Sequence, residues 1–170
     1  MALNQTDFTY QVSSSDFKKV AARPGGVKED AQIHPETRPG KFTLGKNGNA
    51  IVIKDVEINI GLVADDCWML SNLSGNADLM KHEQGHYDIV AISARELYKG
   101  LLKLSANTTR DLQKKVDEFK DGIQKLVTAV DDRYDRQTDH SRKTKEQQQW
   151  NKAIEAEKQK PDGSLANLPL

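Results

Sequence analysis

Hydrophobic and polar positions alternate most clearly in Ala50-Ile51-Val52-Ile53-Lys54-Asp55-Val56-Glu57-Ile58-Asn59-Ile60. Ile51 and Ile53, then Val56, Ile58 and Ile60, share one face of a strand if a bulge or turn near Lys54-Asp55 absorbs the change of phase. Lys41-Phe42-Thr43-Leu44 alternates as well and is expected to pair with that strand across Gly45 to Asn49. Phe8 to Val12 has strand composition, and Cys67-Trp68-Met69-Leu70 is a further short strand. Ala22 to Gly40 holds three prolines and three glycines and reads as loop. Residues 1 to about 75 are therefore expected to be β-rich.

The period then changes to that of a helix. Asn76 or Asp78 can cap a helix from about Ala77 to Leu104. Its apolar residues Ile89, Val90, Ile92, Ala94 and Leu97 spread too widely for a surface helix, which predicts a central buried one. A second helix, about Thr108 to Tyr134, carries Leu112, Val116, Phe119, Ile123, Leu126, Val127, Val130 and Tyr134 at spacings of three and four. A third, about Lys143 to Lys158, has Trp150, Ala153 and Ile154 on one side. The pattern predicts one α+β domain over residues 1–160: a small N-terminal sheet, a buried helix, a long amphipathic helix and a C-terminal helix. Residues 161–170 read as a disordered tail.

A chain of 170 residues is long enough for a real core. Its 25 basic and 25 acidic residues balance, so no net field recruits nucleic acid or an anionic membrane. No apolar run reaches the length of a membrane span. Met1 to Asp7 lacks the basic and apolar regions of a signal peptide. The single cysteine, Cys67, excludes an intramolecular disulfide.

Candidate chemistry lies at the start of the buried helix, in His82-Glu83-Gln84-Gly85-His86. Residues four apart stand one above the other on a helix, so both imidazoles can converge on one metal ion. Glu83 projects beside them, placed to act as general base rather than ligand. This H-E-x-x-H spacing is the signature of zinc peptidases. Gly85, unfavourable inside a helix by about 1 kcal/mol against alanine, implies close approach of another backbone.

A catalytic zinc normally takes three protein ligands and keeps one open position. If the second helix packs antiparallel to the first, its C-terminal end returns to the two histidines, which favours His140 as the third ligand. Asp135 and Asp139 are alternatives on the same stretch. Glu96 lies ten residues beyond His86, about 15 Å along a straight helix, and reaches the ion only if the helix breaks. His34, in a proline-rich loop, reads as an exposed histidine. Asp88 or Asp135 can accept the second N–H of a ligating ring. Tyr134 is either an oxyanion donor or the last residue of the apolar stripe. Cys67 to Leu70 could take up an extended peptide at a sheet edge.

Lys81-His82-Glu83-Gln84-Gly85-His86-Tyr87-Asp88-Ile89, followed by Ala94-Arg95-Glu96-Leu97, resembles the bacterial family of predicted secreted zinc-dependent proteases, a domain of unknown function. Trp68, Tyr134-Asp135, Thr138-Asp139-His140 and Gln149-Trp150 match the family's other segments. Ser141 stands where the family usually has glycine. Over residues 50–155 the resemblance implies a zincin-like α+β fold and, by its name alone, a secreted or periplasmic place. Together these readings predict a metallopeptidase with Zn2+ on His82, His86 and His140, Glu83 as base and Tyr134 as oxyanion donor, acting on peptide or protein. The alternatives are a non-hydrolytic zinc-binding module and a protein that pairs with a partner through its long helix.

Overall fold

The computed structural model describes residues 8–169, so the leading Met1 to Asp7 stretch lies outside it. Among the described residues the fold is mixed α+β, with two small sheets and three α-helices. The first sheet has the order β1–β5–β2, from β1 (Lys18–Val20), β2 (Ala31–Gln32) and β5 (Trp68–Leu70). The second has the order β3–β4–β6, from β3 (Pro35–Asn47), β4 (Ala50–Leu62) and β6 (Ser105–Ala106).

The predicted hairpin forms between β3 and β4, and its turn passes through Gly48 in the left-handed region (φ 57°). Thr43 pairs with Asp55 and Leu44 with Ile53, leaving Lys54 as the extra residue. The bulge therefore falls where the alternation requires it, and Ile53, Val56 and Ile58 are buried together. The segment expected as loop is partly strand, since β2 and the start of β3 lie within it. Pro35 and Pro39 are tolerated because β3 is an edge strand, where a missing N–H leaves no ladder bond unmade. Phe8 to Val12, expected as a strand, joins no sheet. The Gln84 side chain takes over the role of a ladder there, donating to the Tyr10 carbonyl (3.0 Å) and accepting from the Val12 N–H (2.7 Å). Trp68 to Leu70 is a strand, but the central one of its sheet. Both of its neighbours are taken, so it has no edge to offer a peptide.

Helix α1 spans Ala77–Leu101 and α2 spans Thr109–Thr138. Asn76 and Thr108 cap them by accepting the N–H of Leu79 and Asp111. Helix α3 covers Thr144–Gln159. The apolar stripe of α2 packs antiparallel on α1, and two glycines of α1 set the approach. A Cβ at Gly100 would collide with the Phe119 ring, and one at Gly85 with the Tyr134 ring and hydroxyl. Gly85 thus makes room for a side chain, not for a backbone. One core cluster joins Ile53, Val56 and Ile58 to Leu97, Leu101, Leu112 and Val116; another joins Ile89 and Ile92 to Val130, Tyr134, Trp150 and Ile154.

The expected tail is part of that second cluster. Leu165, which opens a short 3-10 turn at Leu165–Asn167, and Leu168, which follows it, are both buried. Glu157 accepts from the Ser164 N–H and the Asn167 amide, and Arg133 donates to the Pro169 carbonyl. Two leucines three residues apart supply the apolar surface that orders a segment whose terminal position suggests otherwise.

Candidate metal centre

His82, Glu83 and His86 lie on the face of α1 turned toward the C-terminal end of α2, and all three are buried. His82 Nε2 is 3.1 Å from His86 Nε2, and Asp135 Oδ1 lies 3.0 Å from the first and 3.1 Å from the second. The ligand atoms of His82, His86 and Asp135 all lie within 4.8 Å of one another, a group able to hold a metal ion. Two imidazole nitrogens and a carboxylate oxygen are a donor set that suits divalent transition metals in general. A larger cleft, about 710 Å³, is elsewhere, between α1, α3 and Gln11-Val12. The smaller one over this group, about 290 Å³, is lined by Glu29, Ala31 to His34, the two histidines, Glu83, Asp131, Asp135 and His140.

The outer nitrogens of both rings are engaged. His82 Nδ1 is 2.9 Å from Gln147 Oε1, and His86 Nδ1 is 2.6 Å from Asp131 Oδ1. Such partners fix the orientation of a ring and leave the other nitrogen facing inward. Tyr134 backs the site. Its ring stacks on His82 at 4.6 Å, its hydroxyl donates to the His82 carbonyl (3.1 Å), and it accepts from the Gln147 amide (2.6 Å). The ring is fully buried and the hydroxyl is committed on both sides, so the geometry gives Tyr134 a supporting place behind His82. Burial holds its pKa far above the ordinary phenol value, which keeps it a neutral donor.

His140 reaches the same place by a different route. Helix α2 ends in three consecutive non-glycine residues with left-handed backbone: Asp139 (φ 49°), His140 (φ 51°) and Ser141 (φ 75°). The turn brings His140 Nδ1 to 3.3 Å from Asp135 Oδ1, and its ring lies 6.3 Å from that of His82. His140 Nδ1 is buried and has no hydrogen-bond partner among the described residues. A buried imidazole nitrogen without a hydrogen bond, close to the carboxylate that touches both helix imidazoles, is one that a metal ion could satisfy.

Burial works against charge on His86, but the carboxylates of Asp131 and Asp135 hold its pKa well above the usual histidine value. Burial lowers that of His82, against the pull of Asp135. Burial also opposes the charge of Asp135, but its bonds to His82 and His86 keep it well below the carboxylate range. Glu83 is enclosed, and its Oε2 accepts from the Ile33 N–H at 2.8 Å. Burial pushes its pKa up to about 7, with His86 pulling the other way.

The remaining candidates lie apart. His34, half exposed at the rim of the cleft, pairs with Asp66 (2.8 Å). Glu96 accepts from the Leu165 N–H on an unbroken α1. Asp139 is exposed beside Arg142. Asp88 serves no histidine; it takes Lys158 (3.0 Å) and the Gln84 amide (3.0 Å). No motif in the sequence points to Asp131 and Gln147, though each leaves a sign. Asp131, Asp135 and Thr138 recur at helical spacing beside the apolar stripe of α2, and Gln147 stands on the Trp150–Ile154 side of α3.

The chain is thus an α+β protein with a buried histidine–carboxylate group of metal-binding type. Residues 75–141 match a bacterial protein family of unknown function, DUF922. The matched stretch holds His82, Glu83, His86, Asp131, Asp135 and His140. No curated protein and no solved structure matches the chain. Among the described residues no helix is long and apolar enough to cross a membrane.

Proposed function

We propose that the chain is a zinc-dependent peptidase of zincin-like architecture, with His82, His86 and His140 as the metal ligands and Glu83 as general base. The observation that carries this reading is the place of Glu83. It shares a helical turn with two imidazoles, lies outside the group of convergent ligand atoms, and is buried at the cleft with a backbone N–H holding one oxygen. A carboxyl group whose pKa lies near neutrality can both take and return a proton. Zinc in such a site supplies Lewis acidity toward water and a carbonyl. In this mechanism Glu83 Oε1 accepts the proton of the attacking water and passes it to the leaving amine, while Ile33 N–H fixes Oε2. Gln147 and Asp131 hold the rings of His82 and His86, and Tyr134 supports His82 from behind. The edge strand at the cleft is β2, not β5, so an extended peptide would lie along Ala31-Gln32.

One observation favours a second reading, a non-hydrolytic metal site. Asp135 Oδ1 converges with the two helix imidazoles and lies 3.3 Å from His140 Nδ1, and a carboxylate added to three histidines would close the coordination sphere with four protein ligands, as in structural zinc sites. The variant Glu83→Gln separates the two. The peptidase reading expects zinc to be retained and cleavage of a broad peptide mixture to fall by at least about a hundredfold. Equal cleavage by wild type and variant would overturn Glu83 as the base. No cleavage by the zinc-loaded wild type would favour the closed site.

A further inference from the structure

Residues that hold three successive left-handed backbones without glycine need outside support, because each such residue costs about 1 kcal/mol or more. Asp139, His140 and Ser141 are in that position. One support comes from the loop between β1 and β2. Arg142, next to the strained turn, donates through Nη2 to the Lys28 carbonyl (2.8 Å) and to Asp30 Oδ2 (3.0 Å). The other oxygen of Asp30 accepts from Arg23 Nε (2.9 Å) and Nη2 (2.5 Å). Asp30 thus ties both ends of its own loop to the turn. Glu29, between Lys28 and Asp30, lies with Oε1 3.6 Å from His140 Nε2, the ring nitrogen turned away from Asp135. Asp30 also leads directly into β2, whose following residue Ile33 holds Glu83.

We propose that Asp30 is a positioning residue for the metal centre. Through Arg142 it clasps the β1–β2 loop onto the strained turn, so that His140 is presented to the metal and Glu29 closes on its outer nitrogen. The proposal rests on the reading of His140 as a metal ligand. It makes metal affinity depend on an ion pair that contributes no ligand, and it gives the β1–β2 loop a function that neither the motif nor the helices explain.

The test uses Zn2+ alone, titrated into the metal-free full chain against a chromophoric chelator, with Co2+ absorption as a report on ligand geometry. Asp30→Ala is expected to weaken Zn2+ binding by about tenfold, the low end for partners of ligating histidines because Asp30 acts at one remove, and to alter the Co2+ spectrum. Asp30→Glu, which keeps the charge, is expected to restore most of the affinity. In a His140→Ala background Asp30→Ala should have little further effect, because the two act through the same ring. Should Asp30→Ala fail to fold, as judged by circular dichroism, Arg142→Gln breaks the clasp from the other side. Unchanged affinity in the folded variants would overturn the clasp while leaving the metal site intact. An equally large loss in the His140→Ala background would also overturn it, because the effect would then bypass His140. A wild-type chain that binds neither ion would overturn the metal reading and the clasp with it.

Discussion

At one end of the α1–α2 pair Gly100 receives the ring of Phe119; at the other, Gly85 receives the ring of Tyr134. The glycines are fifteen residues apart on one helix and the aromatics fifteen apart on the other, so both ends obey the same antiparallel register. Around Gly100 the filling is apolar, with Leu97, Leu101, Leu112 and Val116. Around Gly85 it is polar, with His82, Glu83, His86, Asp135 and Gln147. Burying apolar surface stabilises the pair, whereas burying ionisable groups costs free energy unless they are fully paired. One end therefore holds the scaffold, and the other uses it to keep several desolvated groups in place.

The sharpest way to break this comparison is at the apolar end. Leu97→Ala should destabilise the fold by about 2–5 kcal/mol through transfer and cavity costs. The fraction that stays folded should bind zinc as tightly as wild type. Denaturant unfolding and a metal titration on the same preparation check both halves, and a matching loss of affinity would mean that the ends are not separable.

The two glycines offer a paired test. Gly85→Ala and Gly100→Ala each force an aromatic ring to move, at a cost of about 1–3 kcal/mol for overpacking. A helix gains about 1 kcal/mol from alanine, which offsets part of it. Only Gly85→Ala should also weaken zinc binding, because the displaced ring of Tyr134 stacks on His82. Equal effects on metal from both variants would sink the idea that Tyr134 supports the site.

Asp131→Asn should be milder for the fold. It removes the carboxylate on His86 Nδ1 and should weaken zinc binding about 10- to 100-fold. The melting temperature of the metal-free chain should fall too, because Asp131 supports the charged form of buried His86, but by less than in Leu97→Ala, because Asp131 is partly exposed and Asp135 remains. Calorimetric titration with Zn2+ alongside a thermal melt decides it.

The same division explains what could be read from the sequence. All three helices and the β3–β4 hairpin follow from periodicity, and even the bulge at Lys54 follows from the shift between Ile53 and Val56. His82, Glu83 and His86 are legible because a single helix fixes their spacing. Asp131, Gln147 and Glu29 depend on how separate elements meet, and no local pattern states that. Tyr134 was visible as the end of a stripe, but whether its hydroxyl faced the cleft or the core depended on Gly85 opposite. The short strands β1, β2 and β6 escape because two or three residues carry no period. The C-terminal leucines escape because their burial depends on a core built by earlier elements.

The central claim is that the polar end of the helix pair is a metal centre built on His82 and His86. Elemental analysis after equilibration with Zn2+ and removal of excess tests it most directly, on wild type and His86→Ala. The account predicts one zinc per wild-type chain and loss of most of it in the variant. A wild type without zinc, or a variant with the same content as wild type, would contradict it.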